Sequence, residues 1–389
     1  MTKVLIAGGG IAGLAAALAV ARAGGAAIVL EQAEAFEEVG AGIQLGPNGR
    51  RALEALGAWE LVKDQTVRPR GIRIMRAADG ARLGSVPTDE TFTARFGGTY
   101  QLVHRADLLG GLVAAAGGHD RIELRTGSRV DGFAPRDGRV RVHLDNGETL
   151  EGDVLIGADG IRSTVRAGLL ADGPPAPAGH TLYRALVDMA QVPAGVDTGH
   201  VHLWLHAGGH VVHYPVSGGR KFNIVASVNE PWNGEPPSAP SRGERLARVF
   251  AGVAGPLRAV LELPEEWLRW VGGDRKPVQN WGKGAVSLIG DAAHPTLPYL
   301  ASGAVMALED AVVLGQCLRT AAAKNVQAAL RAYERTRQPR TARIVNSSHK
   351  LAGIYHAGQP LAFLRDGFIR FSSGNRALER MAWLYSWRP

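Results

Sequence analysis

Val4-Leu5-Ile6-Ala7-Gly8-Gly9-Gly10-Ile11-Ala12-Gly13 stands almost at the start of the chain. The apolar run ends in a glycine turn, Leu14 to Ala23 continues as a helix, and Ala27 to Leu30 returns as a second strand, which makes a βαβ unit. Gly8 permits the tight turn, Gly10 keeps a side chain away from an approaching pyrophosphate, and Gly13 lets helix and strand pack closely. The helix N-terminus then faces the negative charge. Glu31, closing the second strand, is the acidic residue expected on an adenosine ribose hydroxyl. Only one such fingerprint occurs, so on these residues the bound dinucleotide is either NAD or FAD.

Further along, Arg139 to Leu144 alternates up to Asp145-Asn146-Gly147-Glu148, a hairpin signal. Asp153 to Ala158 and Val286 to Ile289 are continuous apolar strands ending in Asp159-Gly160 and Gly290-Asp291, as buried parallel strands with ligand-facing loops do. Thr181 to Val228 has a different texture. His200 to His206 and His210 to Tyr214 alternate between glycine turns, which predicts an antiparallel meander, and Asn233 to Arg242 reads as a loop. From Gly303 onward the pattern is helical, with a break in Val326 to His349 expected at Pro339. Core packing is the default for the tryptophans, among them Trp204, Trp232, Trp267, Trp270 and Trp281.

The 389 residues, 46% hydrophobic and 21% charged, exclude a disordered or fibrous chain. Against 36 acidic residues the 44 basic ones leave a charge of +8. The arginines are scattered and no nucleic-acid signature accompanies them, so small anionic ligands are the expected partners rather than nucleic acid. One cysteine, Cys317, excludes a disulfide framework and a cysteine zinc site, and the cytoplasm is the expected compartment. Met1-Thr2-Lys3 leads straight into a strand, so no leader peptide is expected. The longest apolar stretch, Ile11 to Leu30, contains Arg22 and reads as helix then strand, not a membrane span. Histidines 200, 202, 206, 210 and 213 crowd one region, with His200, His202 and His206 able to share a strand face. No carboxylate or cysteine is expected to complete a site with them, so no metal is expected.

Four segments then choose between the dinucleotides: Gly40-Ala41-Gly42-Ile43-Gln44-Leu45-Gly46-Pro47-Asn48, His104-Arg105-Ala106-Asp107-Leu108, Asp153 to Ser163, and Leu288-Ile289-Gly290-Asp291-Ala292-Ala293-His294-Pro295. In this order they resemble the single-component FAD-dependent aromatic hydroxylases, in the branch of salicylate, 3-hydroxybenzoate and 6-hydroxynicotinate enzymes. The resemblance implies an α/β fold. A Rossmann-like FAD-binding domain with a parallel sheet would take residues 1–70, 100–170 and 276–330, an inserted antiparallel-sheet substrate domain 71–99 and 171–275, and a C-terminal helical region 331–389. It also implies bound FAD, NADH or NADPH as transient co-substrate, and hydroxylation of a small hydroxylated aromatic acid by O2 through a flavin hydroperoxide. A homodimer is the assembly to look for.

By the same resemblance Gly8, Gly10, Ala12, Gly13 and Glu31 hold the ADP half, with the backbone of Val130 at the adenine. Gly42, Ile43 and Arg105 lie along the pyrophosphate and ribityl region. The Asp159-Gly160 turn serves FAD and the nicotinamide, and Asp291 accepts from a ribityl hydroxyl. Gly303 and Ala304 begin a helix aimed at the flavin pyrimidine, where its N-terminus favours negative charge. Read singly, Arg105 is half of an ion pair and Asp159 and Asp291 are helix caps. Pro295 falls where the family has a carbonyl near the reactive flavin carbon. His213 and Tyr214 lie on the substrate roof, His213 as the base for a phenolic proton or else as a core strand histidine, while Tyr183-Arg184 offers a carboxylate contact. The family often carries Gln where Ser302 stands and Asn where Val305 stands. The rival readings are an FAD oxidoreductase or epoxidase acting on a non-aromatic substrate, a plain NAD-dependent dehydrogenase, and a non-catalytic nucleotide-binding protein.

Overall fold

Strand Lys3–Ala7 pairs in parallel with Ala26–Leu30 on one side and Val154–Gly157 on the other, because helix Ile11–Arg22 carries the chain back before it returns in the same direction. The computed structural model describes every residue except 37–40, 231–233, 235, 237 and 321–324. Gly40, Trp232 and Asn233 therefore lie outside the described residues. Strands Ile122–Arg125, Val286–Leu288 and the short Gly282–Lys283 extend the sheet to six. Its middle strands are buried on both faces, which is why they read as unbroken apolar runs. The predicted hairpin forms between Arg139–Leu144 and Thr149–Gly152, with Gly147 at φ +87° in the turn.

The second sheet has eight strands, in the order Ser238–Ser241, Trp267–Asp274, Ala176–Asp188, Lys221–Asn229, Gly209–Val216, Val201–His206, Gly71–Arg76, Arg82–Pro87. The meander is antiparallel as predicted, but Val201–His206 pairs in parallel with Gly71–Arg76. The Gly71–Pro87 hairpin arrives from a distant part of the chain and docks on the meander's edge, so local turn geometry does not set its direction. Ser238–Ser241, inside the predicted loop, is an edge strand, a place where Pro240 is tolerated.

Helix Val326–Tyr355 runs through Pro339 without the expected break, and the domain boundary expected at 330 falls inside it. Side chains on either side of the proline explain the continuity. Arg337 Nε donates to Asp310 at 2.6 Å and Arg340 Nε to Glu309 at 2.7 Å, both on helix Gly303–Thr320. Asn48 Nδ2 donates to Glu309 at 2.7 Å, and His294 Nε2 lies 2.5 Å from Asp310. No helix among the described residues is long and apolar enough to cross a membrane.

Burial alone would raise the Asp310 carboxyl, but His294 and Arg337 together pull it down to about 2. Replacing it with Asn leaves Arg337 buried without its partner, so Asp310→Asn should cost about 3–5 kcal/mol in urea unfolding at pH 7. The folded carboxyl titrates below the unfolded value of about 3.9, so its contribution is complete above that pH and is lost as pH falls toward 2. Over that window the stability of the variant should fall less steeply than that of the wild type.

Candidate functional site

The glycine turn has the shape of a phosphate cradle. Gly8 sits at φ +100°, and a Cβ there would lie 2.6 Å from the Ala158 carbonyl oxygen; a Cβ on Gly13 would come within 1.9 Å of the Gly8 oxygen. Before Gly10, by contrast, a Cβ meets nothing within 4 Å, and no side chain caps the helix that follows. The first amides of that helix therefore face open space, the condition for binding an anion. Glu31 accepts from Gly9 N at 2.6 Å and Ala33 N at 2.9 Å, and its carbonyl accepts from Ser128 N at 2.8 Å, which brings the Val130 strand alongside. Ala12 packs against Gly290, so the Gly290-Asp291 turn joins the same edge with Asp291 exposed. An open glycine edge, uncapped amides and an acidic residue fit the ADP half of FAD.

Asp159 is engaged within the chain. It accepts from the Ser163 hydroxyl and from Val165 N at 3.1 Å, at the start of helix Thr164–Leu170, while burial pushes its carboxyl up. Strand Gly42–Leu45 pairs with Gln101–His104, setting Gly42 opposite His104, and Arg105 N donates to Ala41 O at 3.2 Å. Gly42, Ile43 and Arg105 are thus brought together.

The eight-stranded sheet meets this half at Tyr214. A Cβ on Gly42 would lie 2.4 Å from the Tyr214 ring, and Gly42 N donates to Asn223 Oδ1 at 2.7 Å. Successive strand residues point to opposite faces, so His213 cannot share Tyr214's. The structure puts it on the far side: its Nε2 accepts from Trp204 Nε1 at 2.9 Å and its ring stacks on His202 at 4.9 Å. That overturns the expectation that His213 and Tyr214 stand together on one face of the substrate roof. On Tyr214's side stands His210, buried, with Nδ1 2.9 Å from His356 Nε2 and its ring 5.2 Å from that of Tyr299. Adjacent numbering alone ruled out the pair His213 and Tyr214, and the same parity would have found His210. Tyr183 lies on the far face with its hydroxyl 3.3 Å from Glu230, while Arg184, on the near face, sits over Trp270 at 5.4 Å.

Tyr299 belongs to the loop that leads into helix Gly303–Thr320. Gly303 and Ala304 open that helix, Ser302 Oγ donates to Leu300 O at 2.8 Å, and Pro295 is buried next to His294. A narrow cleft runs beside them, lined by Gln44, Asn48, Tyr100, Ser302, Val305 and Tyr385 among others. Within it Tyr100 donates to Gln44 Oε1 at 2.6 Å. Burial pushes the hydroxyls of Tyr100 and Tyr214 well above the usual tyrosine range. Tyr100 and Asn223 were not singled out from sequence, having no motif of their own, and Gln44 was quoted in the Gly40 to Asn48 segment without a role.

His200, His202 and His206 do share the far face, and a carboxylate is present after all: Asp197, 2.8 Å from His200 Nδ1 and 3.4 Å from His202 Nε2. Arg73 Nη1 holds the same oxygen at 2.6 Å, so a cation there would compete with a guanidinium.

Residues 1–348 match the protein family described as an FAD binding domain. The chain is 39% identical over 388 residues to a 3-hydroxybenzoate 6-hydroxylase of Polaromonas naphthalenivorans (strain CJ2), covering 99% of this chain and 96% of that protein. It is 31% identical to a 6-hydroxynicotinate 3-monooxygenase of Bordetella bronchiseptica, covering 89% and 90%. Among solved structures, a variant of Klebsiella pneumoniae HpxO complexed with FAD superposes with a TM-score of 0.87 at 28% identity, covering 99% of each chain.

Because a Cβ on Gly10 meets no atom of the protein, Gly10→Val should fold with an unchanged circular dichroism spectrum and yet purify with little or no FAD. Asp291→Ala should weaken FAD by roughly 1.5–3 kcal/mol, measured by titrating the apoprotein. Full flavin content in the first variant would overturn the cradle.

Proposed function

Since the chain belongs to the FAD-binding-domain family of flavin-dependent aromatic hydroxylases, we propose that it hydroxylates a small hydroxylated aromatic acid of the 3-hydroxybenzoate kind in the cytoplasm, consuming O2 and NADH or NADPH, with His210 as the base. The chain is an FAD-dependent monooxygenase of aromatic acids. The observation that carries the finer reading is the meeting of Tyr214 with Gly42, which brings a buried imidazole face of the sheet against the strand beside the nucleotide cradle.

Bound FAD supplies the hydride acceptance and oxygen activation that side chains lack. Glycine amides and Glu31 anchor its ADP half, and the N-terminus of helix Gly303–Thr320 offers amides to negative charge at the other end. The substrate hydroxyl must lose its proton for the ring to become nucleophilic. Tyr100 and Tyr214 hold their protons too firmly to act as the base; Tyr100 gives its own to Gln44 and lines the cleft, and Tyr214 is left to orient the substrate. Burial, with His356 and His180, holds His210 well below the usual histidine value, so it stands neutral with a ring nitrogen able to accept. The surrounding apolar sheet excludes water.

The substrate is identified by NADH consumption, oxygen uptake and peroxide release across salicylate, 3- and 4-hydroxybenzoate, anthranilate and 6-hydroxynicotinate. Coupled turnover is expected with a 3-hydroxylated acid; stimulation by none of them would sink the reading. His210→Ala should retain FAD and its reduction but lose roughly 10²–10⁴-fold in hydroxylation. His210 acts as a base only when neutral, so the acid limb of the wild-type profile should lie well below pH 6.5. A His210→Ala enzyme hydroxylating at the wild-type rate would rule that base out.

A further inference from the structure

The far face of the eight-stranded sheet carries a cluster of metal-ligating side chains that the flavin chemistry does not use. The loop ahead of strand Val201–His206 holds Asp197 and His200, and His202 follows on the same face because strand side chains alternate. Gly199 N donates to Asp197 Oδ1 at 2.9 Å, which turns Oδ2 toward the two imidazoles. His200 Nδ1 stands 2.8 Å from Oδ2 and His202 Nε2 3.4 Å, and one ligand atom from each of the three residues lies within 4.8 Å of the others. His202 is only 6% exposed, yet among the described residues neither of its ring nitrogens has a hydrogen-bond partner. Buried polar atoms are ordinarily satisfied, so an imidazole left idle beside a carboxylate calls for a ligand.

We propose that Asp197, His200 and His202 bind a divalent transition metal of the zinc kind. Zinc bonds of about 2.0–2.1 Å set tetrahedral donors about 3.3 Å apart, and the separations of 2.8 and 3.4 Å bracket that value. Two imidazoles select zinc, nickel or copper over magnesium and calcium, which take oxygen shells. Arg73 is the competitor. It lies opposite His202 on the paired strand Gly71–Arg76 and reaches Oδ2 at 2.6 Å, so a positive charge already stands there. Its side chain is 34% exposed and can swing into solvent, whereas the divalent ion brings twice the charge and takes two lone pairs that a guanidinium, which only donates, cannot. The ion ties the loop to the strand it leads into, on the face opposite Tyr214 and His210, so its role is structural.

The FAD-loaded full chain, without an affinity tag and stripped with EDTA, should take up one zinc ion in a calorimetric titration with zinc chloride, with a Kd of about 10 µM or below. Its melting temperature should rise with the zinc concentration. His200→Asn, at a half-buried position, should weaken uptake by roughly 100-fold while leaving flavin content and hydroxylation unchanged. Arg73→Met removes the competing cation and should tighten uptake by roughly 10-fold. A wild type that takes up no zinc at about 100 µM overturns the proposal. So does uptake that His200→Asn leaves undiminished or Arg73→Met leaves unchanged, because the ion then sits on other side chains.

Discussion

Two adjacent carboxylates, Glu309 and Asp310, are wholly buried, and the geometry of the site depends on how their charge is met. Glu309 takes Asn48 and both Arg337 and Arg340; Asp310 takes Arg337, His294 and the Gly290 amide. Removing two charges from water costs several kcal/mol each, and pairing in the interior returns little more than that cost. The gain is definition. Each carboxylate fixes elements far apart in sequence: the helix after the Gly42 strand, the turn that carries Asp291 and Pro295, and the long helix through Pro339. Arg340 extends the bonding to the carbonyls of Trp383 at 2.8 Å and Leu384 at 2.8 Å, so the C-terminal helix is tied to the same point.

With the flavin side fixed in this way, the substrate sheet needs a register of its own. A side chain excludes and a hydrogen bond aligns: the Tyr214 ring fills the space a Cβ on Gly42 would take, and Asn223 receives the Gly42 amide. Ser217 Oγ, donating to Asp107 at 2.7 Å, repeats the alignment further along. Steric exclusion sets distance and hydrogen bonds set direction, so the sheet face is presented at one height above the nucleotide half.

The nucleotide half was legible because its constraints are local. A glycine turn between strand and helix, and an acid at the next strand's end, are read within thirty or so residues, and continuous apolar strands declare burial on both faces. What escaped was long-range. Glu309, Arg337 and Asn48 meet only in space, and the parallel docking of Gly71–Arg76 on the meander has no local signal. Pro339 carried a correct local penalty, yet the helix continues through it, held on either side by Arg337 and Arg340 on the Glu309 and Asp310 carboxylates. His213 was a different failure. The period of a strand forbids neighbours from sharing a ligand, and that rule, available in the sequence, selects His210 once Tyr214 is kept.

The choice of His210 has a consequence for where the proton goes. At the mouth of helix Gly303–Thr320 the donors are committed, Ser302 to the Leu300 carbonyl, Tyr100 to Gln44 and Asn48 Nδ2 to Glu309, while Asn48 Oδ1 is a buried amide acceptor too weakly basic to take a proton. Under the function proposed above, the substrate hydroxyl finds its proton acceptor on the sheet side. Yet the burial that keeps His210 neutral also makes its cation costly, so a proton taken there is not retained. His356, 2.9 Å away and itself held down to about 4 by burial, His180 and Arg365, is the next station, and it is less buried than His210. On that proposal two imidazoles 2.9 Å apart, both held below the usual histidine value by burial, would pass the proton outward and leave no cation beside the substrate oxygen.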